Sequence, residues 1–355
     1  MKTFNPQWTT LENRRARAFE PDFNNLLDVL ARKVPKRPTL FEFFLNETLY
    51  EGLAGQKSPK DSLDHTRFLI KAFKTAGYDY TTVHGSDFGF KTAQHMETGK
   101  KSVSQNHDGL ISDRASFESY PWPDPDAFDY GRLEETAEDL PKGMKFVVYG
   151  PGGVLENVVM ILGYEDLCFM MADDMPLVED VFEAVGSRLV RYYEHCAPHN
   201  AAGVLISNDD WGFATQTMLS TPMMKKLVVP WHKEIARVIH AAGKPAILHS
   251  CGQLRDVMDD VIDTIGYDGK HSFEDKIFPV EEAYEAWHRR IAILGGLDLD
   301  FVIRSELEAV WQRGVDMLER TSGRGAYALG SGNSIPYYVP EANYLAMISA
   351  VEAYG

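Results

Sequence analysis

Cysteine is scarce in this sequence, and long apolar runs are missing. The three cysteines, Cys168, Cys196 and Cys251, are odd in number and widely spaced, which argues against a disulfide framework. No apolar stretch approaches the roughly 20 residues that span a bilayer. The segment from Met1 to Arg14 is polar and aromatic, whereas a signal peptide is basic and then apolar. We therefore expect a cytoplasmic protein in which Cys251 is available as a thiolate.

Basic residues are few relative to acidic ones. Lys and Arg total 36 against 52 for Asp and Glu, a formal net charge of -16, and such a surface repels nucleic-acid phosphates and anionic membranes. Neither is expected as a partner. Charged residues make up 25% and hydrophobic residues 44%, proportions typical of a folded enzyme, so composition gives no case for disorder.

Short apolar runs alternate with helical stretches along the chain. Eight such runs cover residues 39–44, 78–84, 145–150, 203–207, 245–250, 265–271, 291–295 and 326–330. Helices are predicted over residues 63–76, 224–242, 279–289 and 306–320. Alternation implies parallel pairing, and eight units close a sheet without a free edge. The pattern predicts an α/β fold, a (β/α)8 TIM barrel in a single domain over residues 1–355; an open doubly wound sheet is the alternative.

Two segments lie outside this alternation. Residues 1–38 are predicted to form an N-terminal helical extension. Residues 85–141 are polar, contain the sequence Tyr-Pro-Trp-Pro-Asp-Pro at 120–125, and form a stretch far longer than a typical loop. This insertion is a candidate lid over the barrel mouth; an insertion without a function is the alternative.

The tripeptide His249-Ser250-Cys251 stands where the fifth run ends. Residues i and i+2 of an extended chain point their side chains to the same face, so an imidazole and a thiolate can converge on one ion. Nitrogen and sulfur ligands suit zinc. The alternative is that His249 and Cys251 only fill the core.

The other runs also end in polar residues, at the barrel face where chemistry is expected. Asp209 and Asp210 follow the fourth run, and His84 ends the second. These three are predicted as general acids or hydrogen-bonding anchors, with a helix cap as the alternative for the aspartates. The residues predicted to bind substrate are Glu42, Phe44, Asn46, Tyr149, Trp211 and Asn333.

Several short motifs, in their order and spacing, resemble one family over nearly the whole chain. They are Tyr149-Gly150-Pro151-Gly152, Leu162-Gly163-Tyr164-Glu165, Asp209-Asp210-Trp211-Gly212, Leu219-Ser220-Thr221-Pro222, Leu248-His249-Ser250-Cys251-Gly252, Gly295-Gly296-Leu297-Asp298 and Leu329-Gly330-Ser331-Gly332-Asn333. The chain resembles the uroporphyrinogen decarboxylase superfamily, and within it the cobalamin-dependent methyltransferases. Residues 41–47 contain no arginine, whereas the decarboxylase branch grips tetrapyrrole carboxylates with an arginine-rich segment there.

The resemblance implies zinc bound by the His-x-Cys pair and a later cysteine. His249 and Cys251 match the pair, but Ser331 replaces the later cysteine. Glu274, at the end of the neighbouring sixth run, is the predicted third ligand, and a solvated acid or a partner of Lys270 is its alternative role. The weaker candidates for this position are Ser331, Asp298 and Glu156.

The resemblance also implies an activity. The protein would be a zinc-dependent methyltransferase that moves a methyl group between a small methylated substrate, for example an aromatic methyl ether undergoing O-demethylation, and the cobalt of a corrinoid (cobalamin). The sequence has no Asp-x-His-x-x-Gly segment, so the corrinoid is expected on a separate protein. A homodimer is a candidate assembly. A metal-free decarboxylase and a non-catalytic barrel are the alternatives.

Overall fold

A curved sheet of seven parallel strands, paired in chain order, forms the centre of the molecule. The computed structural model describes residues 2–92 and 109–354. The strands are β1 (Tyr80–His84), β2 (Lys145–Tyr149), β3 (Ala202–Asn208), β4 (Ala246–His249), β5 (Gly269–His271), β6 (Ala292–Leu294) and β7 (Tyr327–Ala328). This barrel-like arrangement confirms the predicted α/β class, and the sheet is built from runs two to eight.

The first predicted run is the exception, because it forms a bridge and no strand. Leu40 pairs with Leu329, next to β7, and the Phe41 N–H donates to the Leu329 carbonyl at 2.8 Å. Toward β1, the hydroxyl of Tyr80 lies between β1 and the segment that contains Glu42. It accepts from the Glu42 N–H at 2.7 Å and donates to the Glu42 carbonyl at 2.6 Å. Within the described residues, a side chain therefore stands where a ladder would close the barrel.

Helices follow the strands and cover the outside of the sheet. The α-helices are α1 (Leu11–Ala16), α2 (Asn24–Leu30), α3 (Glu47–Ala54), α4 (Ser62–Ala76), α5 (Arg114–Ser119), α6 (Arg132–Glu135), α7 (Val154–Leu162), α8 (Tyr164–Asp173), α9 (Met175–Cys196), α10 (Thr221–Met223), α11 (Val229–Ala241), α12 (Val280–Trp287), α13 (Leu299–Arg304), α14 (Leu307–Thr321) and α15 (Glu341–Ser349). Short 3-10 helices cover Pro6–Thr9, Pro125–Ala127, Ala137–Asp139, Arg255–Val257 and Ala350–Tyr354. Two π-helical turns cover Met224–Val228 and Asp260–Ile265. No helix of the described ranges is long and apolar enough to cross a membrane.

The predicted insertion is described over residues 85–92 and 109–141; the remainder of the candidate lid lies outside the described residues. Its described part packs against α9, where Arg188 donates to the Pro123 carbonyl at 2.9 Å and stacks over the Trp122 ring. Arg132 pairs with Asp87 across the two described pieces. The insertion thereby forms one wall above the carboxyl end of β1.

Candidate metal centre

The carboxyl ends of three neighbouring strands bring the site together. Asn208 of β3 is in register with His249 of β4, which is in register with His271 of β5. Asp210 and Cys251 each lie two residues beyond a strand end, and the Cys251 N–H donates to Asp210 Oδ1 at 2.8 Å. This bond holds the two loops against each other at the barrel mouth.

Asp210, His249 and Cys251 form a compact group of potential metal ligands. One ligand atom from each of the three lies within 4.8 Å of the others, and His249 Nε2 is 4.0 Å from Cys251 Sγ. An imidazole, a thiol and a carboxylate are the ligand types that zinc takes in proteins. Among the residues that the structure describes, this donor set fits a zinc ion with three protein ligands.

Glu274, the predicted third ligand, does not belong to this group. It lines a separate small cavity with Lys270 and Phe273. Burial, with the nearby Asp298 carboxylate, raises its pKa. After β5 it is the Ser272 hydroxyl that approaches the His-x-Cys pair, at 3.7 Å from Cys251 Sγ. The carboxylate that lies with the pair is that of Asp210, so the geometry favours Asp210 over Glu274 as the third ligand.

The sulfur of Cys251 receives a directed hydrogen bond. Asn333 Nδ2 donates to Sγ at 3.1 Å, and Asn333 Oδ1 accepts from the Ser334 N–H at 2.7 Å, which fixes the orientation of the amide. Burial and the Asp210 carboxylate hold the pKa of the thiol well above its usual range. The metal-free thiol is therefore protonated, and a bound cation would be needed to keep it ionised near neutral pH.

Asp209 and Trp211 lie in a buried network behind the site. Asp209 accepts hydrogen bonds from the N–H groups of Leu155 and Glu156 at 3.0 and 2.8 Å, and so caps α7. The indole of Trp211 and the imidazole of His232 contact the same carboxylate at 2.9 and 2.8 Å. Both predicted residues are fully buried. The adjacent aspartates are thus divided between two tasks, with Asp209 supporting the structure and Asp210 facing the site.

Other predicted side chains are also engaged in structural contacts. Asn46 caps α3 by accepting from the Leu49 N–H at 3.0 Å. Asp298 caps α13 through the Phe301 N–H at 3.1 Å and accepts from the Asp275 N–H at 2.9 Å. These bonds direct the two side chains to backbone groups of their own and of neighbouring loops, since Asn46 also donates to the Pro336 carbonyl at 3.0 Å.

Glu42 and Ser331 bind each other. The Ser331 N–H donates to Glu42 Oε1 at 2.6 Å, and the Ser331 hydroxyl lies 2.8 Å from Oε2 and also contacts the Asn333 carbonyl. Both residues are fully buried. Ser331 is therefore turned away from the candidate metal group.

A cavity of about 1070 Å³ opens beside the candidate metal group. Asp210, Asn208, Glu156 and His84 line it, together with Arg132 from the insertion. His84 Nδ1 and Asn208 Oδ1 are buried without a hydrogen-bond partner among the described residues. Burial, with the nearby Arg132, lowers the pKa of His84 to about 4, so this imidazole is neutral at physiological pH.

Aromatic rings connect His84 to the candidate metal group. The His84 ring centroid lies 3.9 Å from that of Tyr149, which is 4.7 Å from Phe44. Phe44 and Phe43 are 3.8 Å apart, and Phe43 is 4.8 Å from the His249 ring. Phe44 and Tyr149, both predicted to bind substrate, thus belong to one aromatic row that ends at the predicted ligand His249.

Three residues near the site had no role in the sequence analysis: His271, His232 and Asn208. Lys270 entered it only as the alternative partner of Glu274. Buried Lys270 donates to the carbonyls of Ser250 and Ser272, and so ties the loop of Cys251 to the end of β5. Strand-end position was a usable signal for Asn208 and His271. For His232, on α11, no sequence signal pointed to Asp209.

Comparisons with known proteins place the chain among relatives. A family model described as uroporphyrinogen decarboxylase (URO-D) matches residues 134–354, which is more than half of the chain. The solved structure of a methyltransferase from Methanosarcina mazei is similar, with a TM-score of 0.71 and 14% sequence identity. The match covers 97% of this chain and 99% of that chain. A comparison with curated proteins found no matching sequence.

Proposed function

The chain belongs to the uroporphyrinogen decarboxylase family, and from this premise we propose that it is a zinc-dependent methyltransferase. It would move a methyl group between a small methylated substrate and the cobalt of a separate corrinoid protein. A methyltransferase from Methanosarcina mazei with the same fold supports the reaction class. The corrinoid partner follows from the sequence resemblance.

The observation that carries the proposal is the group formed by Asp210, His249 and Cys251 within 4.8 Å at the barrel mouth. Three protein ligands leave a zinc site open for a reactant, the arrangement of catalytic rather than structural sites. When bound, zinc supplies a Lewis acid that stabilises negative charge on a reacting oxygen or sulfur. This suits the demethylation of an ether or the activation of an accepting thiol.

The surrounding residues would position the substrate. The cavity of about 1070 Å³ slightly exceeds the roughly 300–1,000 Å³ range of small-molecule pockets, so it would have room for a small substrate and for the approach of a corrinoid face. Asn208 and His84 offer hydrogen-bonding atoms that have no partner among the described residues. The aromatic row meets this cavity at His84 and would offer an apolar surface to the methylated part of the substrate there.

Metal analysis of purified variants tests the ligand set. We expect one zinc per chain in the unmodified protein. His249→Ala, Cys251→Ser and Asp210→Asn should weaken zinc binding by more than the roughly 10–100-fold that loss of an outer-shell partner costs. Glu274→Gln is the matched control and should keep the affinity. A protein unable to take up zinc would overturn the proposal, and loss of zinc in Glu274→Gln but not in Asp210→Asn would return Glu274 to the ligand set.

A spectral assay tests the reaction. The protein is incubated with reduced free cobalamin and a panel of methoxylated aromatics, methylamines and methylated thiols, and the absorbance change on cobalt methylation is followed. Methylation with at least one donor, lost in Cys251→Ser, is the expected result. Turnover of uroporphyrinogen by metal-free protein would instead identify a decarboxylase.

A further inference from the structure

His271 is fully buried directly behind His249, at the end of the neighbouring strand. Its Nδ1 lies 2.8 Å from His249 Nδ1, and its Nε2 lies 3.1 Å from the carbonyl oxygen of Ser331. The ring edge packs on Phe41, with 5.2 Å between centroids. Both ring nitrogens of His271 therefore have one partner each, and the identity of these partners determines where the protons lie.

The direction of the hydrogen bonds follows from the carbonyl. A carbonyl oxygen only accepts, so His271 Nε2 carries a proton and donates it to Ser331. In a neutral imidazole the other nitrogen, His271 Nδ1, is then an acceptor, and the proton in the 2.8 Å contact belongs to His249 Nδ1. The remaining nitrogen, His249 Nε2, is left with a free lone pair. This atom is the one that lies 4.0 Å from Cys251 Sγ.

A positively charged His271 would donate to His249 Nδ1 and so reverse the hydrogen bond between the two rings. The surroundings of His271 oppose that charge. No carboxylate hydrogen-bonds to the ring in the described ranges, and the ammonium of Lys270, the preceding residue, is a nearby cation. Burial acts in the same direction, because it disfavours the charged form.

We propose that His271 is a positioning residue that fixes the tautomer of His249, so that Nε2 presents its lone pair to the metal. The inference rests on the proposed function only for the identity of the ion. It also gives Ser331 a new task. At the position where the sequence resemblance implies a zinc-binding cysteine, this chain uses the backbone carbonyl of residue 331 to orient the histidine pair, while the side chain is held by Glu42.

Nitrogen chemical shifts of the metal-free protein test the tautomer directly. In a sample labelled with 15N-histidine, long-range proton–nitrogen spectra distinguish protonated from unprotonated ring nitrogens. We expect His249 protonated at Nδ1 and His271 at Nε2. A His249 protonated at Nε2 would overturn the inference whatever the protein does with zinc.

Two substitutions test whether the tautomer matters for binding. His271→Phe keeps a ring but removes both hydrogen bonds, and should weaken zinc binding by the roughly 10–100-fold typical of an outer-shell partner, with mixed tautomers at His249. His271→Gln offers an acceptor oxygen and a donor N–H, and should restore most of the affinity. The matched control is His288→Phe, because His288 is also buried and bonded to a carbonyl, that of Tyr284, but lies between α12 and β6.

The outcomes separate the two proposals. Equal zinc affinity of His271→Phe and the unmodified protein, with both folded by circular dichroism, would overturn the positioning role. Absence of zinc binding in every protein, with the expected tautomers present, would overturn the zinc-dependent function and leave the tautomer assignment standing.

Discussion

Glu42 and Ser331 form a buried hydrogen-bonded pair. The Ser331 hydroxyl donates to Glu42 Oε2 at 2.8 Å and also contacts the Asn333 carbonyl, and the Ser331 N–H donates to Glu42 Oε1 at 2.6 Å. Both bonds favour the ionised carboxylate, but burial outweighs them and raises the pKa of Glu42 to about 8. Glu42 is thus a neutral acid at physiological pH. Glu42 is therefore a structural carboxylic acid below the aromatic row.

This acid predicts a pH dependence of stability. The folded pKa of about 8 exceeds the ordinary value, so the folded state binds one more proton than the unfolded state between those two values. Its contribution is fully present below the ordinary pKa and falls by about 1.4 kcal/mol per pH unit as the pH rises toward 8. Glu42→Gln, which keeps the neutral geometry, should remove this slope. Urea unfolding at pH 5 and pH 8 measures it, and an unchanged slope in the variant would show that Glu42 is already ionised.

At the residue scale, sequence pattern located the pair His249 and Cys251 but could not choose the third member of the group. Asp210 and Glu274 both follow strand ends. Which of the two carboxylates lies beside the pair depends on the conformation of the loop that carries it. The bond from the Cys251 N–H to Asp210 fixes one loop, and no residue type in the sequence signals that bond. Asp209 and Asp210 are likewise equivalent in the sequence, whereas in the fold one is buried under a helix end.

At the element scale, α7 depends on a residue outside itself. Its N-cap residue is Gly153, which has no side chain to accept the first N–H groups, and Asp209 from the loop after β3 accepts them instead. A Cβ atom at Gly153 would lie 2.0 Å from the Cβ of Asp209, so glycine is needed for this approach. Because Asp209 follows β3 and α7 follows β2, this cap holds the ends of the two strands together.

We predict that Asp209→Ala is strongly destabilising because it leaves four donors without an acceptor, three of them buried and one partly buried. Each unsatisfied donor costs roughly 1–3 kcal/mol, so a loss of about 4 kcal/mol or more is expected in urea unfolding. Asp174→Ala is the control, since Asp174 caps α9 through the Leu177 N–H at an exposed position and should cost only about 1 kcal/mol. Equal losses of unfolding free energy in the two variants would show that the buried network stabilises the fold no more than one exposed helix cap does.

Helix positions were largely predictable from apolar spacing and from capping residues, as α4 shows with its end at Gly77. The predicted helix over residues 224–242, with Thr221-Pro222 at its start, is present but not uniform. It begins at Thr221 and passes through a π-helical turn over Met224–Val228 before α11. Pro230 explains the turn, because its ring has no N–H and crowds the carbonyl one turn earlier. The local sequence pattern predicts the helix but not the change in its hydrogen-bond spacing at the π-helical turn.

At the scale of the whole molecule, the barrel is closed by different means on its two sides. The segment around Leu40 joins β7 by backbone pairing, and it joins β1 through the Tyr80 hydroxyl. Seven of the eight predicted runs are strands, and the first run completes the barrel as a bridge beside β7. The sequence could not reveal that its contact with β1 is made by a side chain. That contact depends on tertiary packing of Tyr80 against Phe41.

Tyr80→Phe should loosen this closure, because it leaves the buried N–H and carbonyl of Glu42 without their partner. We expect a destabilisation of roughly 1–3 kcal/mol and a large loss of hydrogen-exchange protection at the Glu42 amide. Tyr78→Phe is the control, since its hydroxyl is also buried but bonds to Tyr344 at 3.0 Å, and it should leave the Glu42 amide protected. Full protection in Tyr80→Phe would mean that the closure does not depend on the hydroxyl.

Because one tyrosine side chain closes the barrel, it also helps to set the barrel's circumference. In a barrel joined all round by ladders, strand number and stagger set the circumference, and changing it requires a new strand or a shift in register. Here the spacing between β1 and the segment at Glu42 equals the reach of a tyrosine. The girth of the barrel at the start of β1 is thus open to adjustment by substitution at position 80, with the six ladders between the seven strands left untouched.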